Sequence, residues 1–488
     1  MPETMLTPWV ATLLLLLDWL IRIGLVLRVI MRRRPVGVSL SWLGVILFFP
    51  FFGAVIYLFL GEARIGRYRL SKLSEIRPRI ERYLTRLHGS TRIDLADTAP
   101  VQHGLIQHGQ RVYGFPAIGG NRLELLDDSD AVFDHLIGDI DAAQRSVHLL
   151  FYIWYEGGRV DRVTNALERA AQRGVVCRVA CDSVGSKTFL KSESAKRLRA
   201  AGIEVVEMLT AGLWRTLLRR QDLRNHRKIV VIDGEIGYTG SMNMADPSVF
   251  KQDAGVGAWV DAAVRVTGPV VETLGVVFLS DWDVETEQPF GDFEDQGDLH
   301  LVPAKGSSIA QVMPSGPGFS EEAIRQTLMT AIYGAQQELL LVTPYFVPDE
   351  SLLTAITGAA SRGVRVVLIV PKKNDSAMVR LASRSLYIDL LSAGVELYEY
   401  RGGLLHTKAV VVDGHAALFG TVNLDMRSLW LNFEVTLAVY DPEFVERLRG
   451  LLTRYIDQSV RIDLAGWRAR PFHHRLMENT VRLLGPLL

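Results

Sequence analysis

The feature that most constrains this chain is a duplication. The stretch RNHRKIVVIDGEIGYTGSMN (224–243) returns as LLHTKAVVVDGHAALFGTVN (404–423). Both carry His-x-Lys, four residues, Asp-Gly, then Gly, Ser or Thr, and Asn at identical spacing: His226, Lys228, Asp233, Gly240, Ser241 and Asn243, then His406, Lys408, Asp413, Gly420, Thr421 and Asn423. Around them RSVHLLFYIWY pairs with QELLLVTPYFV, RGVVCRVAC with RGVRVVLIV, and AGIEVVEM with AGVELYEY, always in the same order. A whole domain is therefore repeated, from about residue 121 and again from about residue 300. The separation shrinks from 192 residues at AGIEV/AGVEL to 180 at the histidines, so the first half holds 12 extra residues just before His226. Buried-strand runs alternating with helix-like stretches predict an α/β fold with two homologous domains, 119–295 and 296–488, packed pseudo-symmetrically.

The amino terminus follows another pattern. Two apolar runs, about 9–29 and 40–60, are each long enough for a hydrocarbon core about 30 Å thick, and predict a transmembrane helical hairpin over 1–62. A signal peptide does not fit, because MPETMLTPW lacks a basic start and a second apolar run follows. Asp18 and Arg22, at i and i+4, share a helix face and neutralise each other there. Arginines at 28, 32, 33 and 34 in the short loop oppose a larger basic group at 64, 67, 69, 72, 77 and 79. The larger group favours a cytoplasmic main body. The basic connector 63–118 reads either as a segment lying on anionic headgroups or as a solvated helix.

The segment that holds the 12-residue insertion interleaves Leu213, Trp214, Leu217 and Leu218 with Arg215, Arg219, Arg220 and Arg224, the pattern of a short basic amphipathic helix for a lipid interface or for packing on the body. FHHRLMENTVRLLGPLL at the carboxyl end reads the same two ways. Cys177 and Cys181, four apart in a strand, are too far apart to bridge and read as buried thiols.

In a strand, His226 and Lys228 project from one face, as do His406 and Lys408, and each Asp-Gly turns the chain into the next strand. Two such sets facing each other make a phosphodiester site. The lysines neutralise phosphate charge, while the Asn243 and Asn423 amides and the Ser241 and Thr421 hydroxyls bind nonbridging oxygens. One histidine attacks phosphorus and the other protonates the leaving oxygen from the opposite side, so each motif supplies half of one active site. A metal fits poorly, because each histidine is paired with a cation and no ligand-spaced cluster occurs; no cofactor is expected. With 54 basic and 54 acidic residues the body offers no general attraction for nucleic acid.

At these residues the chain resembles the phospholipase D superfamily, whose signature is the twin His-x-Lys-x4-Asp motif. Its organisation, with GSMNMADPSVFKQDAGVGAWVD and GTVNLDMRSLWLNFE after the motifs, is similar to that of the bacterial cardiolipin synthases. The resemblance implies two phospholipase D-like domains and phosphatidyl transfer through a phosphohistidine, with His226 as nucleophile and His406 as acid and base. One phosphatidylglycerol would give up its phosphatidyl group and release glycerol; a second would accept it, yielding cardiolipin. Lys228, Lys408, Asn243 and Asn423 carry over as phosphate binders, and Asp233 and Asp413 as signature members that order the site. The resemblance also implies a later carboxylate on each histidine's other nitrogen. Glu434, 28 residues after His406, fits; at that offset the first half has Ala254, leaving neighbouring Asp253 as the candidate.

Other acceptors stay open. Water would make a hydrolase, serine a phosphatidylserine synthase, and a nucleic-acid substrate a nuclease, which the apolar hairpin disfavours. A membrane-anchored binding module without turnover would be expected to have lost a His or Lys, and both sets are intact. Partners expected are phosphatidylglycerol, other membrane phospholipids and the bilayer; a homo-oligomer is compatible with the sequence.

Overall fold

Runs such as VCRVACD and RVVLIVP, mostly apolar and rich in valine, suit strands covered on both faces, and they form part of the interior of one 15-stranded sheet. The computed structural model describes residues 8–32, 36–49, 51–61, 67–90, 93, 98–210, 223–286, 288–318 and 322–483. The predicted insertion helix at 211–222 lies outside them. The chain divides into two compact units, 1–68 with 211–223, and 69–210 with 224–488.

In the larger unit the sheet is written twice. From its outer edge inward the first half runs Glu204–Met208, Val176–Asp182, Ser146–Phe151, Ile229–Ile232, Ile236–Gly240, Ala263–Thr267 and Ile118–Leu126. The second half repeats that order with Glu396–Tyr400, Arg365–Pro371, Glu338–Val342, Ala409–Val412, Ala416–Gly420, Glu434–Val439 and Ser308–Ser315, and adds Ser459–Ile462 at its edge. The first three strands named in each half are parallel, the motif strands that follow are antiparallel, and the added Ser459–Ile462 is antiparallel to Glu396–Tyr400. The halves join where Ile118–Leu126 pairs antiparallel with Ser308–Ser315, so the duplicated domains share a continuous sheet. Cys177 and Cys181 are buried free thiols, and burial pushes Cys177 up to about 12.

The expected connector is not a solvated spacer. Of α4 (Arg67–Ser90) and α5 (Pro100–Tyr113), the residues Ile76, Leu84, Leu87, Leu105 and Ile106 are buried in the main core. Part of its positive charge is spent internally: Arg69 is buried in an ion pair with Glu285, and Lys72 lies 3.9 Å from Asp283. The carboxyl-terminal helix, Phe472–Arg482, docks through buried Glu478, which accepts from Arg470 at 2.7 and 2.9 Å and from Arg384 at 3.1 Å. Its Phe472 and Leu476 point outward.

In the smaller unit the two apolar runs predicted as a hairpin of spanning helices form three helices. The first run forms α1 (Pro8–Met31), but the second is split into α2 (Val36–Phe48) and α3 (Phe52–Leu60). Among the described residues no helix is long and apolar enough to cross a membrane. The physical reason stands in the sequence: Pro50 has no N–H to continue the ladder, and Phe51 adopts φ 55°.

Candidate active site

Each motif begins as an extended segment docked on the other half. His226 N–H donates to Phe433 O at 2.8 Å, and His406 N–H to Val260 O at 2.8 Å. The four-residue strands Ile229–Ile232 and Ala409–Val412 follow, and each ends in an Asp-Gly turn with positive φ at both residues: 54° and 69° at 233–234, 52° and 71° at 413–414. Positive φ at both positions is the two-residue hairpin geometry that Asp-Gly favours. The chain returns along Ile236–Gly240 and Ala416–Gly420. Gly240 and Gly420 are required there, because a Cβ would lie 2.5 Å from Ala262 O in the first and 2.3 Å from Val435 O in the second.

That close approach brings a carboxylate to each histidine, in crossed fashion. His226 Nδ1 lies 2.8 Å from Glu434 Oε2, and His406 Nδ1 lies 2.6 Å from Asp261 Oδ1. Glu434, predicted by its distance from His406, serves the histidine of the other half. Asp253 is exposed in a short 3-10 turn, Gln252–Ala254, and does not reach either histidine; Asp261 takes the place assigned to it. The offset misled because the segment from Gly240 to Asp261 is seven residues longer than that from Gly420 to Glu434. A better signal was the acidic residue just before the apolar run after each motif, Asp261 before AAVRV and Glu434 before VTLAV.

The hydroxyls are also placed differently from expectation. Ser241 Oγ donates to Asp261 at 2.6 Å and accepts from Ala262 N–H; Thr421 Oγ1 donates to Glu434 at 2.5 Å and accepts from Val435 N–H. Both are fully engaged in holding the carboxylates, not turned to a phosphate. Asp233 and Asp413 sit at the far end of their strands from the histidines. Each accepts from three consecutive backbone N–H groups, residues 144–146 at 2.7–2.9 Å and 336–338 at 2.8–2.9 Å, which fixes the turn. They order the scaffold and are outside the reacting site.

His226, Lys228, Asn243, His406, Lys408 and Asn423 are all buried. Lys228 Nζ donates to His226 O at 2.7 Å and Lys408 Nζ to His406 O at 2.5 Å, so each lysine is steered by its own histidine's backbone. Asn243 Oδ1 accepts from Ile153 N–H at 3.2 Å, which fixes the amide, while Asn423 Oδ1 is buried without a partner among the described residues. Tyr152 packs its ring 5.0 Å from that of His226, and Trp259 lies 4.4 Å from His406. Strand alternation turns Arg227 away from its neighbours. Its guanidinium pairs with Asp281 at 2.6 Å and donates to the backbone oxygens of Glu434 and Ser315, so it locks the Glu434 strand to the first half.

Burial pushes both His226 and His406 down to about 4, against the opposing pull of Glu434 and Asp261. Burial alone would raise Asp261, but His406, Lys408 and the Ser241 hydroxyl together outweigh it and hold the carboxyl down to about 2; His226, Lys228 and Thr421 likewise hold Glu434 below its ordinary value. The resting arrangement is thus a neutral imidazole donating Nδ1–H to an ionised carboxylate, with Nε2 left for chemistry. Burial lowers Lys228 to about 8 and puts Lys408 well below its ordinary value. Each motif's lysine also acts on the other motif's histidine, which places the two halves in one electrostatic site. Among the described residues no cluster of three His, Cys, Asp or Glu could hold a metal ion.

A family described as "Cardiolipin synthase, PLD-like domain" matches residues 136–282 and 328–456, and one described as "Phospholipase_D-nuclease N-terminal" matches 20–62. The chain is 48% identical over 472 residues to cardiolipin synthase A of Serratia proteamaculans, covering 96% of this chain and 97% of that one. It is 46% identical over 473 residues to cardiolipin synthase A of Yersinia pseudotuberculosis, covering 96% and 97%. The crystal structure of a phosphatidylserine synthase from Haemophilus influenzae superposes with a TM-score of 0.57 at 14% identity, covering 79% of this chain and all of that one. That likeness concerns the fold.

Proposed function

This chain belongs to the family of phospholipase D-like cardiolipin synthases, and from that membership and its site we propose how it joins two phosphatidylglycerol molecules into cardiolipin and glycerol. The observation that carries the mechanism is the crossed pair of buried His–carboxylate contacts, which leaves one Nε2 from each half for a phosphodiester.

His226 Nε2 attacks phosphorus as the bond to the glycerol oxygen breaks. His406 donates its Nε2 proton to that oxygen, and free glycerol leaves. A bound phosphodiester adds negative charge beside histidines otherwise kept neutral, which favours the protonated His406 this step needs. His406 then takes the proton of a second phosphatidylglycerol's terminal hydroxyl. That oxygen attacks phosphorus, the P–N bond breaks, and His226 is restored. Lys228, Lys408 and the Asn243 and Asn423 amides balance charge on the nonbridging oxygens. Asp261 and Glu434 set the tautomer and stabilise each imidazolium.

The division into domains at 119–295 and 296–488, bilayer association through the amino-terminal unit, and a cytoplasmic catalytic body belong to the same proposal. The test is product analysis with labelled phosphatidylglycerol in liposomes. Cardiolipin with one free glycerol per molecule formed is the expected result; phosphatidic acid alone would make the acceptor water and overturn the reading.

A further inference from the structure

The second apolar run, about 40–60, has the hydropathy of a membrane span, yet its two helices fold back on each other. The Trp42 and Tyr57 rings lie 5.4 Å apart, whereas a straight helix would separate these residues by about 22 Å. Nearer the bend, a Cβ on Gly53 would lie 2.1 Å from Val45 O, so the two backbones touch. The partners 42 with 57 and 45 with 53 define an antiparallel hairpin whose tip lies between the end of α2 and the start of α3.

The tip is closed by the charged pair of α1. In an unbroken helix Phe51 N–H would donate to Leu47 O. Here Phe51 N–H donates to Asp18 Oδ1 at 3.0 Å, and Arg22 donates to Leu47 O at 3.0 Å. Asp18 and Arg22 are themselves 2.5 Å apart and buried, so one ion pair replaces one backbone hydrogen bond, supplying an acceptor to the freed donor and a donor to the freed acceptor. A bend exposed to water needs no such closure; one in hydrocarbon does, because no solvent is present to satisfy its backbone. Below the tip Leu25 and Val29 of α1 pack with Ile46, Ala54 and Tyr57, and most outward residues, Leu13, Leu20, Leu27, Phe48 and Phe52 among them, are apolar, with Arg28 in the last turn of α1 the exposed charge.

We propose that α2 and α3 form a re-entrant hairpin that enters the bilayer and leaves by the same face, its tip held within the membrane by Asp18 and Arg22. At 13 and 9 residues the two helices reach about 20 and 14 Å, each short of a hydrocarbon core of about 30 Å. The length of α1 from Asp18 to its end at Met31 is also about 20 Å, which matches the tip's depth to the ion pair. Arg32 before the hairpin and Arg67 after it therefore emerge on one face. A crossing second helix would set these two arginines on opposite faces, against the positive-inside rule; the re-entrant path removes that conflict. The inference rests on the bilayer association proposed above, but not on the reaction.

The test places single cysteines at exposed Val36 and Leu70 of the full-length protein, Val36→Cys and Leu70→Cys, in sealed membrane vesicles of each orientation. A membrane-impermeant maleimide reads which face each occupies, and cardiolipin formation is followed in the same vesicles. Labelling of both positions from one face is expected. Labelling from opposite faces, or of either position from neither face, overturns the hairpin whether or not cardiolipin is formed; a product other than cardiolipin with same-face labelling would fault the reaction alone.

Discussion

Asp261→Asn keeps the shape of the side chain and removes the charge that His406 leans on. The carboxylate lies 2.6 Å from His406 Nδ1 inside a buried site. A charge-assisted hydrogen bond contributes about 1.5–3 kcal/mol. The Coulombic stabilisation of an imidazolium about 4 Å away adds about 4 kcal/mol at an effective dielectric near 20, and the two overlap. A net loss of about 3–5 kcal/mol from the transition state corresponds to a fall in kcat of about 10²- to 10⁴-fold. The carboxamide can also turn its NH₂ toward Nδ1, which drives the proton to Nε2, the wrong tautomer for accepting a proton from the second lipid's hydroxyl. Asp253→Asn, at an exposed position away from both histidines, should stay within about twofold of the parent by the rule for surface substitutions. Initial rates of cardiolipin formation from labelled phosphatidylglycerol decide the matter. An Asp261→Asn enzyme within tenfold of the parent, or an Asp253→Asn enzyme more impaired than it, would refute the crossed assignment.

His406→Ala should abolish turnover, and samples denatured in detergent at neutral pH, where the acid-labile P–N bond survives, should show whether the His226 phosphoenzyme still forms; near-normal cardiolipin synthesis would sink the two-histidine mechanism. Glu434→Gln should slow phosphoenzyme formation itself, because Glu434 contacts His226; a normal phosphoenzyme rate would remove its role there. Asp233→Ala should lower stability by about 2 kcal/mol through three backbone N–H groups that lose their acceptor, with KM unchanged; a raised KM with unaltered unfolding would place Asp233 in the site after all. Acid should destabilise the fold through the two histidines. Between pH 6.5 and about 4 the unfolded chain binds protons that the buried imidazoles refuse, so stability falls as pH falls, by about 2 kcal/mol per histidine at pH 5. Denaturant midpoints across that range check the sign, and His226→Gln with His406→Gln should flatten the slope.

Much of the site was legible because its logic is local. The spacing of His226 and Lys228 puts them on one face of any strand, Asp233-Gly234 is a hairpin turn by its own φ preferences, and duplication brings in the second set without knowledge of the fold. Asp261 was hidden because its distance from His226 depends on a seven-residue difference in a loop, to which the sheet is indifferent. Ser241 and Thr421 looked like phosphate ligands because a hydroxyl beside a catalytic motif is chemically suited to the task; only the neighbouring strand shows that a carboxylate claims them first. In the second apolar run hydropathy records affinity for lipid and not direction of travel, so the fold-back escaped, although Pro50 stood in its middle.

The sequence by itself determined the duplication, the α/β alternation, the two histidines with their lysines and asparagines, and the apolar character of the amino terminus, since all of these follow from residue type and spacing along the chain. The tertiary structure alone decided which carboxylate serves which histidine. That choice is made where the second half's Phe433–Glu434 meets His226 and the first half's Val260–Asp261 meets His406. Contacts between segments about 145 and 208 residues apart are set by the packing of one half on the other, and no local preference encodes them.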